Sequence, residues 1–282
     1  LAGGVAGGLT GLAVWRDVDG RWQHCHSWQD LSTRKVPAMT TEPQPTAEPR
    51  PTAEPRPTAE PRPTAEPRPT TEPRPTAEPR PTAAALDDLL APPTPVAARA
   101  LEAAAVVSSP ALLAHSRRSA ALAVALGRRE GLAFDHELLF VAAALHDVGL
   151  VGPFDSHAEP FERAGGEVAR VFATGAGWSS DRSQRVVDVI VRHMWPAVSP
   201  GLDVEGHLLE RATSLDVSGV GGDDWPVELV GAVVERVPRD GFGAEFGGLM
   251  SAQAHRKPGS EAGRTIRGGM RDRIAANPLD RL

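Results

Sequence analysis

Phe134-Asp-His-Glu-Leu-Leu-Phe-Val-Ala-Ala-Ala-Leu-His-Asp-Val-Gly-Leu150 is the stretch around which this chain is organised. Every residue from Leu138 to Leu145 is apolar. A helix over that run is hydrophobic on all sides yet too short to span a bilayer, so it belongs in the middle of a domain. Asp135 is placed to cap its start, Glu137 suits the positive end of its dipole, and Gly149 stands just past its end. His146 and Asp147 then fall in its last turn. A carboxylate and an imidazole at the end of so apolar a helix cost several kcal/mol, roughly, unless they are paired or hold a metal.

Working outward, His115 lies upstream and Asp216 downstream, each in a segment with helical period. Pro110 opens the helix of His115, and Arg118 shares its face at i+3. Asp216 lies four residues after Ala212, on the inward side of a helix spanning about 204–217. Further helices are expected over about 97–107, from about 160 along the stripe Phe161, Ala164, Val168 and Phe172, from Ser180 to His193, and over 225–237 and 242–255. The tail from Lys257 is polar and expected to be loose.

The N-terminal part reads differently. Residues 1–40 are expected to form an irregular extension without helical or strand period, and Met39 is a possible true start. Within it, His24-Cys25-His26 invites a metal reading, but the ligands are too close together and no second cluster completes a zinc site. Residues 41–83 repeat Pro-Thr-Ala-Glu-Pro-Arg, with Gln44 and Thr71 as variants. Prolines at two positions in six remove backbone donors and hold such a chain near polyproline II, a disordered spacer. It serves either as a tether or ligand for a proline-binding partner, or as a low-complexity tail with none. Residues 84–282 are then expected to be a single all-α domain.

Composition narrows the function. The 27 Pro and 28 Gly shrink the foldable part of the 282 residues, and 41% hydrophobic residues suffice for its core. A net charge of −6 argues against nucleic acid or anionic membrane as the main partner. The lone Cys25 excludes an internal disulfide framework, and no segment reaches the length of a membrane span. A soluble, cytoplasmic protein is expected.

The order His115, His146-Asp147, Asp216, with the pair ending an apolar helix and a Gly two residues after the Asp, resembles the HD superfamily of all-helical, metal-dependent hydrolases. From about Leu112 to Ile266 the chain is similar to that superfamily's cyanamide hydratase-like branch. The residues that carry this are His115-Ser-Arg-Arg118, Leu138-Leu-Phe, Phe161-Glu162 before Ala164-Gly165, Leu215-Asp216-Val217, and Val237-Pro-Arg with Phe242 and Phe246. The chain departs from the pattern in having no Tyr and in Met194-Trp195 after His193.

The resemblance implies that His115, His146, Asp147 and Asp216 bind one divalent metal ion, whether zinc, iron, manganese, cobalt or nickel. Such an ion activates water against an electrophilic carbon or phosphorus. It implies Asp147 and His193 as catalytic residues, and Arg118, His157 and Glu162 as candidates for holding a small-molecule substrate. Arg118 either meets a substrate phosphate or pairs with a carboxylate, and His193 either handles substrate and protons or stabilises a helix end. Phosphodiesterase-like members often carry Lys where this chain has Leu150, which weakens the case for a phosphate substrate. The expected function is a hydrolase or hydratase on a small molecule; a phosphohydrolase and a non-catalytic ligand-sensing module are the alternatives.

Overall fold

The computed structural model describes residues 14–18, 21–25 and 79–282. Residues 41–78 of the repeat and His26 lie outside the described residues, and so do the side chains of His24 and Cys25; the end of the repeat is described, with Thr82 accepting from the Ala85 amide to cap a helix that starts at Ala83. The first two segments are strands, β1 (Val14–Val18) and β2 (Arg21–Cys25), paired antiparallel with Val18 opposite Arg21. The expectation of no strand period before the repeat is thus corrected. The missed signal is Asp19-Gly20, a two-residue connection of the kind that suits a tight hairpin between short runs. This pair belongs to a unit spanning residues 1–69, separate from the unit of residues 70–282.

From residue 79 onward the described chain is helical. The helices are α1 (Ala83–Leu90), α2 (Pro95–Val107), α3 (Pro110–Arg129), α4 (His136–Leu145), α5 (Phe161–Gly175) and α6 (Ser180–Arg192). They continue as α7 (Val204–Ser218), α8 (Val227–Arg236), α9 (Phe242–Arg256), α10 (Glu261–Arg267) and α11 (Met270–Ala275). None of them is long and apolar enough to cross a membrane.

Local chemistry sets the ends of these helices. Ser109 accepts from the Leu112 amide ahead of Pro110 to start α3, and Asp135 accepts from the Leu138 amide to start α4. Asp203 does the same for the Gly206 amide in α7, and Gly219, at φ 70°, closes that helix in the left-handed region. Every residue of α4 from Leu138 to Leu145 is buried, with α2, α3, α5, α6 and α7 packed around it. The all-round apolar run is therefore a core helix.

Two glycines bring α5 against the end of α4. A Cβ on Gly149 would lie 2.0 Å from the Phe161 carbonyl oxygen, and one on Gly165 would lie 3.1 Å from that of His146. The His146-Asp147 turn is pressed onto α5 at a distance no larger residue allows.

The C-terminal tail is the second correction. Beyond Lys257 the chain forms α10, α11 and a short 3-10 turn, Pro278–Arg281, and it buries Ala262, Ile274 and Leu279. Apolar residues spaced too widely for a visible stripe still fill gaps against α9 and α7. Lys257 itself is buried, its Nζ donating to the carbonyls of Ser156 and Glu159.

Candidate metal centre

Two elements deliver three side chains to one point. His115 comes from the second turn of α3, while His146 and Asp147 come from the end of α4, where the backbone leaves the helix at φ −100° and ψ 3° for Asp147. Nε2 of His115 and Nε2 of His146 are 3.1 Å apart. The Oδ2 of Asp147 is 3.1 Å from the latter and 3.5 Å from the former. His115 and His146 have no exposure and Asp147 is 4% exposed.

The second nitrogen of each ring fixes its tautomer. His146 donates from Nδ1 to the Ala143 carbonyl at 2.9 Å, and His115 donates from Nδ1 to Asp216 Oδ2 at 2.6 Å. Each therefore turns a lone pair, not a proton, towards the shared point. Neither carboxylate oxygen of Asp147 has a hydrogen-bond partner. Three acceptors that converge in a buried place repel one another unless a cation stands between them. Ligands at about 2.1 Å from one ion and 90–110° apart lie roughly 3.0–3.4 Å from each other, which matches this triangle. His115, His146 and Asp147 thus fit a metal ion.

The electrostatics agree. Burial opposes a charge on His146, yet the adjoining Asp147 carboxylate raises its pKa above the ordinary value, so a proton is drawn to the place a cation would take. Burial alone would raise the Asp147 carboxyl, but His146 and then His115 outweigh it and hold it at about 2. Burial, reinforced by His146, pushes His193 down to about 3, so it is neutral at pH 7. His193 caps the end of α6 and donates from Nδ1 to the Ile190 carbonyl, which leaves Nε2 free, and its ring lies 4.8 Å from that of His146.

Asp216, expected as a fourth ligand, stands behind His115 rather than beside the other three. Besides the Nδ1 of His115 it accepts from Arg118 Nε at 2.8 Å and Nη2 at 2.9 Å, and from Arg239 Nη1 at 2.9 Å. Two guanidiniums and an imidazole satisfy both oxygens. Burial would raise this carboxyl, but the His115 hydrogen bond and the Arg118 charge hold it far below the usual carboxylate range. The reason lies in the helix face. Glu210, Thr213, Ser214 and Val217, at i, i+3, i+4 and i+7 of α7, turn towards the cavity, whereas Asp216 sits on the core side with Ala212.

The other expectations divide. Arg118 pairs with a carboxylate: it is fully buried, and its Nη1 donates to the Pro238 carbonyl at 2.8 Å, so it is not presented to a substrate. His193 lines the cavity in front of the triad. His157 is exposed on the loop before α5, and Glu162 is buried at the start of α5 with an unpaired Oε2; neither belongs to the cavity wall.

That cavity measures about 230 Å³. Its wall includes Met194 and Trp195, where the sequence departs from the family pattern, and adds residues that the sequence reading did not single out, among them Glu210, Glu261, Arg264 and Arg273. Glu210 had one legible signal, a carboxylate among Leu208, Leu209 and Ala212. The arginines had none, because their place depends on the fold of the tail. Phe242 stacks on the His115 ring with centroids 4.5 Å apart, closing the side away from the cavity.

Comparison with known proteins agrees with this geometry. The family model for the HD domain matches residues 112–216, which begin just before His115 and end on Asp216. The chain is similar to two proteins of Saccharomyces cerevisiae, "Cyanamide hydratase DDI2" and "Cyanamide hydratase DDI3". It is 30% identical to each over 172 residues, covering 59% of this chain and 76% of the relative.

Proposed function

Because this chain belongs to the HD-domain superfamily of metal-dependent hydrolases, we propose that it is a hydrolase or hydratase adding water to a small molecule, in the manner of the cyanamide hydratases it resembles. The observation that carries this reading is the convergence of Nε2 of His115, Nε2 of His146 and Oδ2 of Asp147, three buried acceptors with no donor among them. These three residues would hold one divalent ion, which supplies Lewis acidity and lowers the pKa of water so that a nucleophile exists near pH 7.

The chain's own groups do the rest. Asp216 fixes the ring of His115 and, with Arg118 and Arg239, keeps its lone pair aimed at the centre. His193, neutral and with Nε2 free, accepts a proton from the attacking water and returns it to the product. On a nitrile the water oxygen bonds to carbon, both protons end on the product, and an amide results. The apolar wall of Met194, Val217 and Phe246 limits competing water.

The test is metal content by mass spectrometry on the full chain and on Asp147→Ala, beside a screen with cyanamide, small nitriles and phosphate esters. About one metal per chain, lost in the variant, with turnover of the first two classes, is the expected result. Turnover confined to phosphate esters would replace the hydratase reading by a phosphohydrolase. Absence of metal from both proteins after reconstitution would overturn the reading.

A further inference from the structure

The cavity in front of the triad has a second polar end. Glu210 lies six residues before Asp216 on α7, about 9 Å away along the helix axis. The residue is 6% exposed and lines the cavity. Ser214 Oγ donates to Oε1 at 2.9 Å, and among the described residues no salt bridge includes Glu210. Burial raises this carboxyl, with Ser214, Arg211 and His207 opposing the shift only in part.

Oε2 of Glu210 accepts no hydrogen bond within the described residues and is not sealed off by its neighbours, so an incoming donor can reach it from the cavity. Each arginine in the same wall has a protein acceptor of its own. Arg264 Nη1 is 2.6 Å from Glu261, and Arg273 Nη1 donates to the Gly268 carbonyl at 2.7 Å. Glu261 is thus paired within the wall, and Glu210 is the glutamate of this cavity that has no salt bridge among the described residues.

Resting on the proposed hydrolytic site, we infer that the substrate is a two-ended small molecule, with its reacting carbon at the triad and an N–H donor group, an amine, amidine or guanidine, at Glu210. Such a substrate is longer than the three heavy atoms of cyanamide. Glu210 selects it, by a charge-assisted hydrogen bond, over a molecule ending in carboxylate or phosphate.

Isothermal titration calorimetry on the full chain tests this with two probes of similar size and opposite charge, methylguanidinium and methylphosphonate. Methylguanidinium should bind wild-type protein and bind Glu210→Gln at least about tenfold more weakly, the usual range for a hydrogen bond to a charged group. A thermal melt of Glu210→Gln no lower than wild type shows that the variant is folded. The methylphosphonate comparison is made on Asp147→Ala, where an anion has no metal to bind. There methylguanidinium should still bind, and more tightly than methylphosphonate.

Equal methylguanidinium affinity in wild type and Glu210→Gln, or tighter methylphosphonate binding in Asp147→Ala, overturns the inference. The two readings fail separately. Metal without methylguanidinium binding leaves the hydrolytic site standing, while Glu210-dependent binding to a chain that takes up no metal leaves only the recognition site.

Discussion

Replacing Asp216 by Ala should destabilise the metal-free protein far more than replacing Asp147. Asp216 has no exposure and accepts from His115, Arg118 and Arg239. Its removal leaves the guanidinium of Arg118, fully buried, without a carboxylate and takes from Arg239, 7% exposed, one of its two, with Asp280 remaining. Breaking a buried ion pair by deleting one partner costs about 3–5 kcal/mol. For a domain of about 200 residues each kcal/mol lowers Tm by about 2–4 °C, so a drop on the order of 10 °C is expected.

Asp147 is the opposite case. It is as buried as its neighbours, but neither of its oxygens has a hydrogen-bond partner. Asp147→Ala should lose the metal while its Tm in EDTA stays within about 2 °C of wild type, since the apo fold loses no hydrogen bond with this carboxylate and leaves no donor unpaired. The assay is calorimetry or circular-dichroism melting of both variants in EDTA. A wild-type Tm for Asp216→Ala, or an equal loss for Asp147→Ala, would refute the division between a site-forming carboxylate and a fold-locking one. The milder Asp216→Asn should keep metal with affinity lowered about 10–100-fold, measured by competition with a chelator; complete loss would make Asp216 a ligand after all.

Three further outcomes follow from the same geometry. Gly149→Ala places a Cβ 2.0 Å from the Phe161 carbonyl and should cost about 1–3 kcal/mol or more in urea unfolding; a neutral result would show that α5 gives way freely. His193→Gln should retain metal but lower kcat about 100-fold or more on any substrate the screen finds, and an unchanged kcat would return His193 to a helix-end role. Asp203 would be raised by burial, but hydrogen bonds from Arg185 and Arg192 hold it below its ordinary value. Its stabilisation is thus full above the unfolded pKa of about 4 and is lost as pH falls through the lower folded value. The Tm gap between wild type and Asp203→Asn should close on acidification from pH 5 to pH 2; a gap that widens would contradict the sign.

The sequence by itself determined the all-helical core and three of the residues at its centre. The unbroken apolar run Leu138–Leu145 has one stable solution in water, burial on every side, and burial makes any polar residue at its end expensive enough to need a partner. Gly149 was legible only as a residue just past the helix end; that a Cβ there would meet the Phe161 carbonyl took the fold to show. What a residue meets across the fold was not legible. Period showed that Asp216 faces inward, but not that inward there means Arg118, 98 positions away, and Arg239, instead of the cavity. The tertiary structure alone decided this, because α3, α7 and the chain before α9 choose their facing sides by packing, and that choice turns Asp216 to Arg118, Arg239 and the back of the His115 ring.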